Sequence, residues 1–118
     1  MILATRPQPH RQITAIDTDN PTTTTISINT KGYDEVQFWL DYVTGGGTIG
    51  ITAVPLWWDT EAGAWYVDTA KSFTRTVSGA LFEKIAAEGE LCFLKVTALS
   101  GTSPSLTVRY SLAKTRSF

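Results

Sequence analysis

Few residues in this chain could carry out proton-transfer chemistry. The 118 residues include one histidine, His10, and one cysteine, Cys92. A serine or cysteine nucleophile needs a base to take its proton, and histidine is the usual base. His10 follows Pro9 in an N-terminal segment that we expect to be mobile, so we expect no catalytic residue. We interpret Cys92 as a buried small hydrophobic residue, because it shares a predicted strand face with Leu94.

The acidic residues form no metal-binding pattern. Asp17 and Asp19 lie two residues apart, and Asp59 and Glu61 share one predicted loop. Neither pair has the spaced acidic ligands of a calcium loop, and the chain has almost no imidazole or thiolate ligands. We interpret the first pair as turn-capping residues and the second as solvated loop charges rather than a catalytic carboxylate pair. We therefore expect neither a metal nor another cofactor.

Length and charge narrow the class of partner. The chain is the size of one domain, and its 10 Lys and Arg residues balance 11 Asp and Glu residues. This balance gives no basic excess that would attract nucleic acid. No apolar stretch approaches the roughly 18 residues of a membrane span, and residues 2–4 are too short a run for the apolar core of a secretion signal. We expect a protein made in the cytoplasm, with no nucleic-acid or membrane partner.

Alternation of apolar and polar residues predicts strands from end to end. The predicted strands occupy residues 12–16, 22–30, 35–43, 49–58, 64–69, 72–77, 91–99 and 105–113. Residues 80–87 fit either a strand that ends in a turn or an amphipathic helix, and we favour the strand.

About eight strands with turn residues between them predict an all-β fold, an antiparallel β-sandwich of the jelly-roll-like kind. We expect an extended N-terminal arm over residues 1–11, the sandwich over residues 12–113 and a short C-terminal tail over residues 114–118. Pro7 and Pro9 favour an unpaired arm, whose order we expect to depend on a partner.

Aromatic residues are the feature that suggests binding. Trp57 and Trp58 lie on one strand and Trp65 and Tyr66 on the next, and adjacent strand residues point to opposite faces. One residue of each pair must therefore leave the core face, as Trp39 does on its own strand. Exposed aromatic residues on a sheet are typical of a subunit interface or of a sugar-stacking platform, and cross-strand packing is the alternative. The candidate interface residues are Trp39, Trp57, Trp58, Trp65, Tyr66 and, in the arm, Arg6, Pro7 and Pro9.

Three segments resemble the small β-sandwich domains of tailed-bacteriophage virion proteins. They are a loop with an acidic residue, a glycine and an aromatic pair (59–66), a glycine-led strand (89–98) and a final strand after a Gly/Ser turn (105–112). The resemblance covers about residues 33–113. It implies a non-enzymatic virion structural protein, most specifically a capsid decoration or cement protein. The implied partners are the major capsid protein or other virion proteins, and the implied assembly is a homo-oligomer, with a trimer favoured.

Two other functions stay open at this point. One is a carbohydrate-binding module in which Trp57 or Trp58 stacks on a sugar together with Trp65 or Tyr66. The other is an accessory domain of a phage tail or receptor-binding protein. An enzyme is the least favoured class.

Overall fold

Ten β-strands and one turn of 3-10 helix form the described part of the protein, in a computed structural model that covers residues 2–115, with side chains from 4 to 114. The strands are β1 (Ile2–Ala4), β2 (Gln8–Ile13), β3 (Ile28–Asn29), β4 (Glu35–Val43), β5 (Gly50–Asp59), β6 (Ala64–Val67), β7 (Phe73–Arg75), β8 (Gly79–Ala86), β9 (Leu91–Ser100) and β10 (Ser105–Thr115). The 3-10 turn spans Thr69–Lys71, between β6 and β7.

The strands form two antiparallel sheets, which we call sheet A and sheet B. In sheet A the order is β8, β4 and β10, and β1 and β2 follow one another along the far edge of β10. In sheet B the order is β3, β9 and β5, and β6 and β7 share the far edge of β5. The predicted all-β antiparallel sandwich is confirmed.

The core lies between the sheets and follows the alternation of the sequence. The buried inward side chains of β4 and β10 are Val36, Phe38, Leu40, Tyr42, Leu106, Val108 and Leu112. From sheet B, Ile51, Cys92, Leu94 and Val96 pack against them. The buried Tyr42 hydroxyl donates to the Ser100 carbonyl and accepts the Gly50 N–H at 3.0 Å, so its one polar atom is satisfied while it ties the two sheets together.

The ambiguous segment is a strand. β8 pairs with β4 from Glu35 opposite Ala86 to Tyr42 opposite Gly79. Ile85 is buried, whereas Phe82 and Lys84, on the opposite face, are exposed. The helical alternative is wrong. The nine-residue β4 has a free edge, and a segment whose side chains alternate with period two can pair with that edge over all of its own residues.

The N-terminal segment is extended, as predicted, but the expectation that it is unpaired is wrong. β1 and β2 both pair antiparallel with β10, and β2 runs across the boundary predicted between residues 11 and 12. Pro7 and Pro9 are compatible with this position because an edge strand needs no second row of backbone donors. β10 continues to Thr115, into the predicted tail, and residues 116–118 lie outside the described residues.

The strand predicted over residues 22–30 is wrong except for β3. Residues 14–27 form a loop, in which Ser27 turns the chain by donating from its N–H and its hydroxyl to the Thr24 carbonyl, at 3.1 and 2.6 Å. The β-branched threonines suggested a strand, but side-chain hydrogen bonds of this kind compete with sheet pairing.

Candidate functional site

The paired aromatic residues of β5 and β6 do not share one surface. Trp57 lies opposite Tyr66 and Trp58 opposite Trp65, so each cross-strand pair has its own face of sheet B. Trp57 is only 8% exposed in the core, and its indole N–H donates to Asp68 Oδ2 at 3.1 Å. Tyr66, 55% exposed, lies at the sheet edge. The residues of the predicted sugar platform are therefore divided between two faces.

The loop of residues 14–27 covers the part of the outer face of sheet B around Trp65. Trp65 is 7% exposed and packs edge-on against Trp58 and tilted against Phe93, with ring centroids 5.3 and 6.0 Å apart. Its indole N–H donates to the Thr23 carbonyl in the loop at 3.2 Å. Trp58 and Trp65 thus belong to a second small core, in the cross-strand packing that was the alternative to an interface.

Trp39 and Phe82 form an exposed aromatic pair on the outer face of sheet A. They are cross-strand partners, 36% and 45% exposed, with ring centroids 4.8 Å apart in an edge-to-face arrangement. The Trp39 indole N–H donates to Ser111 Oγ at 2.9 Å, and Ser111 Oγ donates to Gln37 Oε1 at 2.7 Å. This chain of hydrogen bonds holds the indole in one orientation.

Polar residues surround the aromatic pair. Exposed Asp41 and Lys84 lie in the rows on either side of it, and exposed Arg109 lies next to Trp39 on β10. We call the surface of Trp39, Phe82, Asp41, Lys84 and Arg109 the Trp39–Phe82 face. An aromatic centre with a charged rim is the usual composition of a protein interface.

The arm residues of the candidate interface lie at the border of the same sheet. Arg6, Pro7 and Pro9 are exposed. Pro9 pairs with Arg109, which pairs with Trp39, so the arm extends the row that contains the aromatic pair.

The alternation of apolar and polar residues identified Trp39 as a candidate interface residue but did not identify Phe82. The reason is that residues 80–87 did not separate strand from helix by pattern alone. The available signal was the alternation of Phe82 and Lys84 with Leu81, Glu83 and Ile85, which has period two.

We expect Trp39→Phe to lower the free energy of unfolding by about 1 kcal/mol, because it keeps an aromatic ring and removes one hydrogen bond to the buried Ser111. Urea unfolding followed by circular dichroism measures the change. Tyr66→Phe is the matched control, since this exposed hydroxyl has no hydrogen bond recorded in the described structure. Equal stabilities of the two variants would show that the bond to Ser111 contributes nothing.

Three side chains of the N-terminal region take the place of a strand along the edge of β9, and we call His10, Arg11 and Asp17 the clasp. Arg11 donates to both oxygens of Asp17, at 2.8 and 2.6 Å, and to the Leu94 carbonyl at 2.8 Å. Asp17 accepts the Val96 N–H at 2.9 Å and donates its own N–H to the Val96 carbonyl at 2.8 Å. His10 Nε2 accepts the Leu94 N–H at 3.4 Å. The clasp thus provides hydrogen-bond partners for the backbone N–H and carbonyl groups of Leu94 and Val96, which point to the edge of β9. It also links the two sheets.

His10 is a structural residue of the clasp, and the expectation that it lies in a mobile segment is wrong. Burial, together with the charge of Arg11, lowers the pKa of His10 to about 4, against the smaller opposing effect of Asp17. Its ring packs edge-on against Phe93 at 5.5 Å. A neutral ring whose Nε2 accepts a backbone hydrogen bond is held in place rather than free to act as a base.

Asp17 is an ion-pair residue, and its interpretation as a turn cap is wrong. Burial by itself raises the pKa of its carboxyl. The hydrogen bonds from Arg11 and Val96 and the charges of Arg11 and Lys95 outweigh that effect and hold the pKa below its usual range. By contrast, Asp59 does cap a turn, accepting the N–H groups of Glu61 and Ala62 at 3.0 and 3.3 Å.

Cys92 is a core residue, as predicted. It is fully buried, and burial, with the nearby charge of Asp68, raises the pKa of its thiol. The buried thiol therefore stays protonated and packs as a small hydrophobic side chain.

Residues 2–115 offer neither a metal centre nor a membrane-spanning helix. No three His, Cys, Asp or Glu side chains among them are placed to hold a metal ion. No helix in this range has the length and hydropathy to cross a membrane. No protein-family model, curated protein or solved structure matches this chain.

Proposed function

We propose that this chain is a non-enzymatic structural protein of a tailed-bacteriophage virion that binds other virion subunits through the Trp39–Phe82 face. In its most specific form it is a capsid decoration or cement protein that binds the major capsid protein and stabilises the head. The observation that carries the proposal is the exposed and pre-oriented Trp39–Phe82 pair on an open sheet. The virion assignment is supported by the resemblance of residues 59–66, 89–98 and 105–112 to virion β-sandwich domains.

The geometry of the face suits protein binding. Tryptophan is among the residues that most often dominate binding energy at interfaces. Because hydrogen bonds already hold the Trp39 indole, docking costs little additional side-chain entropy. Asp41, Lys84 and Arg109 supply charges of both signs at the rim, where they set orientation and specificity. Many copies, each binding modestly to a repeating shell, would together stabilise that shell.

Co-sedimentation with empty heads tests the proposal. The heads are assembled from the major coat protein encoded nearest to the gene of this chain. We expect the wild-type protein to saturate the heads and to raise their melting temperature. We expect Trp39→Ala to weaken binding more than about tenfold, as the loss of an interface hot spot does.

Tyr66→Ala is the matched control for the binding experiment, because it removes an exposed ring from the other sheet. It should bind the heads like the wild type. Equal binding by Trp39→Ala and the wild type would reject the Trp39–Phe82 face. The absence of binding by the wild type, or of coat genes near its own gene, would reject the capsid assignment, and binding to purified tails instead would favour the tail accessory.

A further inference from the structure

Three of the four sheet edges are protected against pairing with another chain. On sheet A, the edge of β1 and β2 is interrupted and contains Pro7 and Pro9, which have no backbone donor. On sheet B, the clasp covers β9 beyond the two-residue β3. The opposite edge is divided between β6 and β7 by the turn at Thr69–Lys71. Short, interrupted and covered edges are the usual defences against edge pairing.

The fourth edge, β8, has none of these features. It is eight residues long, contains no proline, and β4 is its one strand neighbour within residues 2–115. The Ala87 N–H donates toward β4, to the Asp34 carbonyl at 2.8 Å. Because backbone groups alternate along a strand, those of Ala80, Phe82 and Lys84 point to the open side. At the end of the strand, Lys71 Nζ donates to the Ala86 carbonyl at 3.4 Å. The open stretch is therefore limited to Ala80, Phe82 and Lys84.

We propose that β8 pairs antiparallel with β8 of a second copy of this chain, so that two sheets A join into one continuous sheet about a two-fold axis. The axis passes beside Phe82, which lies opposite Phe82 of the second copy. Lys84 of each chain lies opposite Ala80 of the other. All three facing pairs are of the hydrogen-bonded kind, and together they give six backbone hydrogen bonds.

The outer face is self-complementary in this register. One row joins Trp39, Phe82 and the same two residues of the second copy into a single aromatic strip. One facing pair further along the strands, Lys84 lies opposite the small Ala80 of the second copy. On the next strand of that copy, β4, Asp41 pairs with Ala80. Lys84 and Asp41 of the second copy lie on strands that are separated by two strand spacings, each of about 4.8 Å. Their side chains are long enough together to meet across Ala80. Neither Lys84 nor Asp41 has an ion pair recorded within the described part of the chain, and the dimer would give each of them one.

Neighbouring registers fit less well. A shift of two residues in one direction places Lys84 opposite Phe82 of the second copy, whose neighbour on β4 is Trp39, so Lys84 no longer meets Asp41. The same shift in the other direction pairs Leu81 with itself and moves Lys84 opposite Ser78, which lies beyond the strand. The register centred on Phe82 is therefore the one that we propose.

Sedimentation velocity of the purified chain at increasing concentration tests the dimer, without any virion partner. We expect a dissociation constant of about 10 to 100 micromolar, because an edge pairing buries less than the roughly 1,200 Å² of stable complexes. We expect Lys84→Asp and Asp41→Lys each to weaken the dimer at least tenfold. The double variant Lys84→Asp/Asp41→Lys should recover most of the wild-type affinity, since it reverses both charges of the pair.

Lys84→Pro tests the backbone ladder, because it removes an N–H that points to the open side and has no partner in the monomer. We expect it to be monomeric at every concentration while its circular dichroism spectrum stays that of the wild type. Lys31→Asp, the same charge change in an exposed turn, is the control and should dimerise normally. A wild type that stays monomeric, a trimer, or a double variant as weak as the single variants would overturn the proposal. Because no coat protein is present, failure of the dimer is separable from failure of the virion assignment.

Discussion

Arg11→Ala is expected to lower the free energy of unfolding by about 3 kcal/mol, the lower part of the range for breaking a buried ion pair. The Arg11–Asp17 pair is bidentate, and both side chains are less than a fifth exposed. Without Arg11, the Asp17 carboxylate keeps its charge in a poorly solvated site, and the Leu94 carbonyl loses its donor. The Arg11 guanidinium also packs 4.3 Å from the centroid of the Phe93 ring, and this contact is lost as well.

Urea unfolding at pH 7 measures this loss, with Arg109→Ala as the control for removing one exposed arginine. Arg11→Met separates packing from charge, since it keeps an unbranched side chain over Phe93. We expect Arg11→Met to recover only a minor part of the loss. A decrease below about 1 kcal/mol for Arg11→Ala, the value of a surface ion pair, would show that the clasp contributes little to stability.

Acidification from pH 7.5 to pH 4.5 is expected to lower the free energy of unfolding by about 2 to 3 kcal/mol through His10. The pKa of His10 is about 4 in the folded chain, against 6.5 for the free side chain. Between these two values the unfolded chain binds a proton that the folded chain excludes. The free energy of unfolding is therefore highest, as far as His10 determines it, above pH 6.5, and it decreases as the pH falls toward 4. Asp17, whose pKa is lowered, keeps its contribution until the pH falls below its ordinary value of 3.8.

Parallel urea titrations of the wild type and His10→Gln at several pH values measure this slope. The glutamine side chain supplies an oxygen that accepts the Leu94 N–H but does not titrate. We expect the variant to show a nearly flat profile between pH 7.5 and 4.5, so that its stability relative to the wild type rises by about 2 to 3 kcal/mol as the pH falls. Equal slopes for the two proteins would assign the pH dependence to other groups.

Strands whose apolar and polar residues alternate along their whole length could be predicted from the sequence. The bounds of β4 match the predicted residues 35–43, because its buried and exposed side chains alternate along the whole strand. The pairing of β1 and β2 was not predictable, because it depends on an edge of β10 about 100 residues away in sequence. The prolines of this segment correctly indicated an edge position, but an edge strand and an unpaired arm have the same local pattern.

The candidate site was predicted in part for a similar reason. Alternation placed Trp39 outside the core, and Trp39 is exposed. The same rule required one of Trp65 and Tyr66 to leave the core face, but it could not show which one does, nor that the outer face around Trp65 is covered. The cover comes from Thr23, 42 residues earlier, whose carbonyl accepts the indole N–H. Solvent exposure depends on such distant loops, whereas the facing of a side chain depends on its own strand.

The position of β10 has a consequence for synthesis of the chain. β10 is the last of the ten described strands to be synthesised, yet it lies between β4 on one side and β1 and β2 on the other. Residues 2–13 therefore have no sheet partner until β10 has been synthesised, and their pairing joins residues about 100 positions apart in sequence. Long-range closure of this kind slows folding. Sheet A can be completed only after β10 has left the ribosome, and β1 and β2 then pair with it in a single late step.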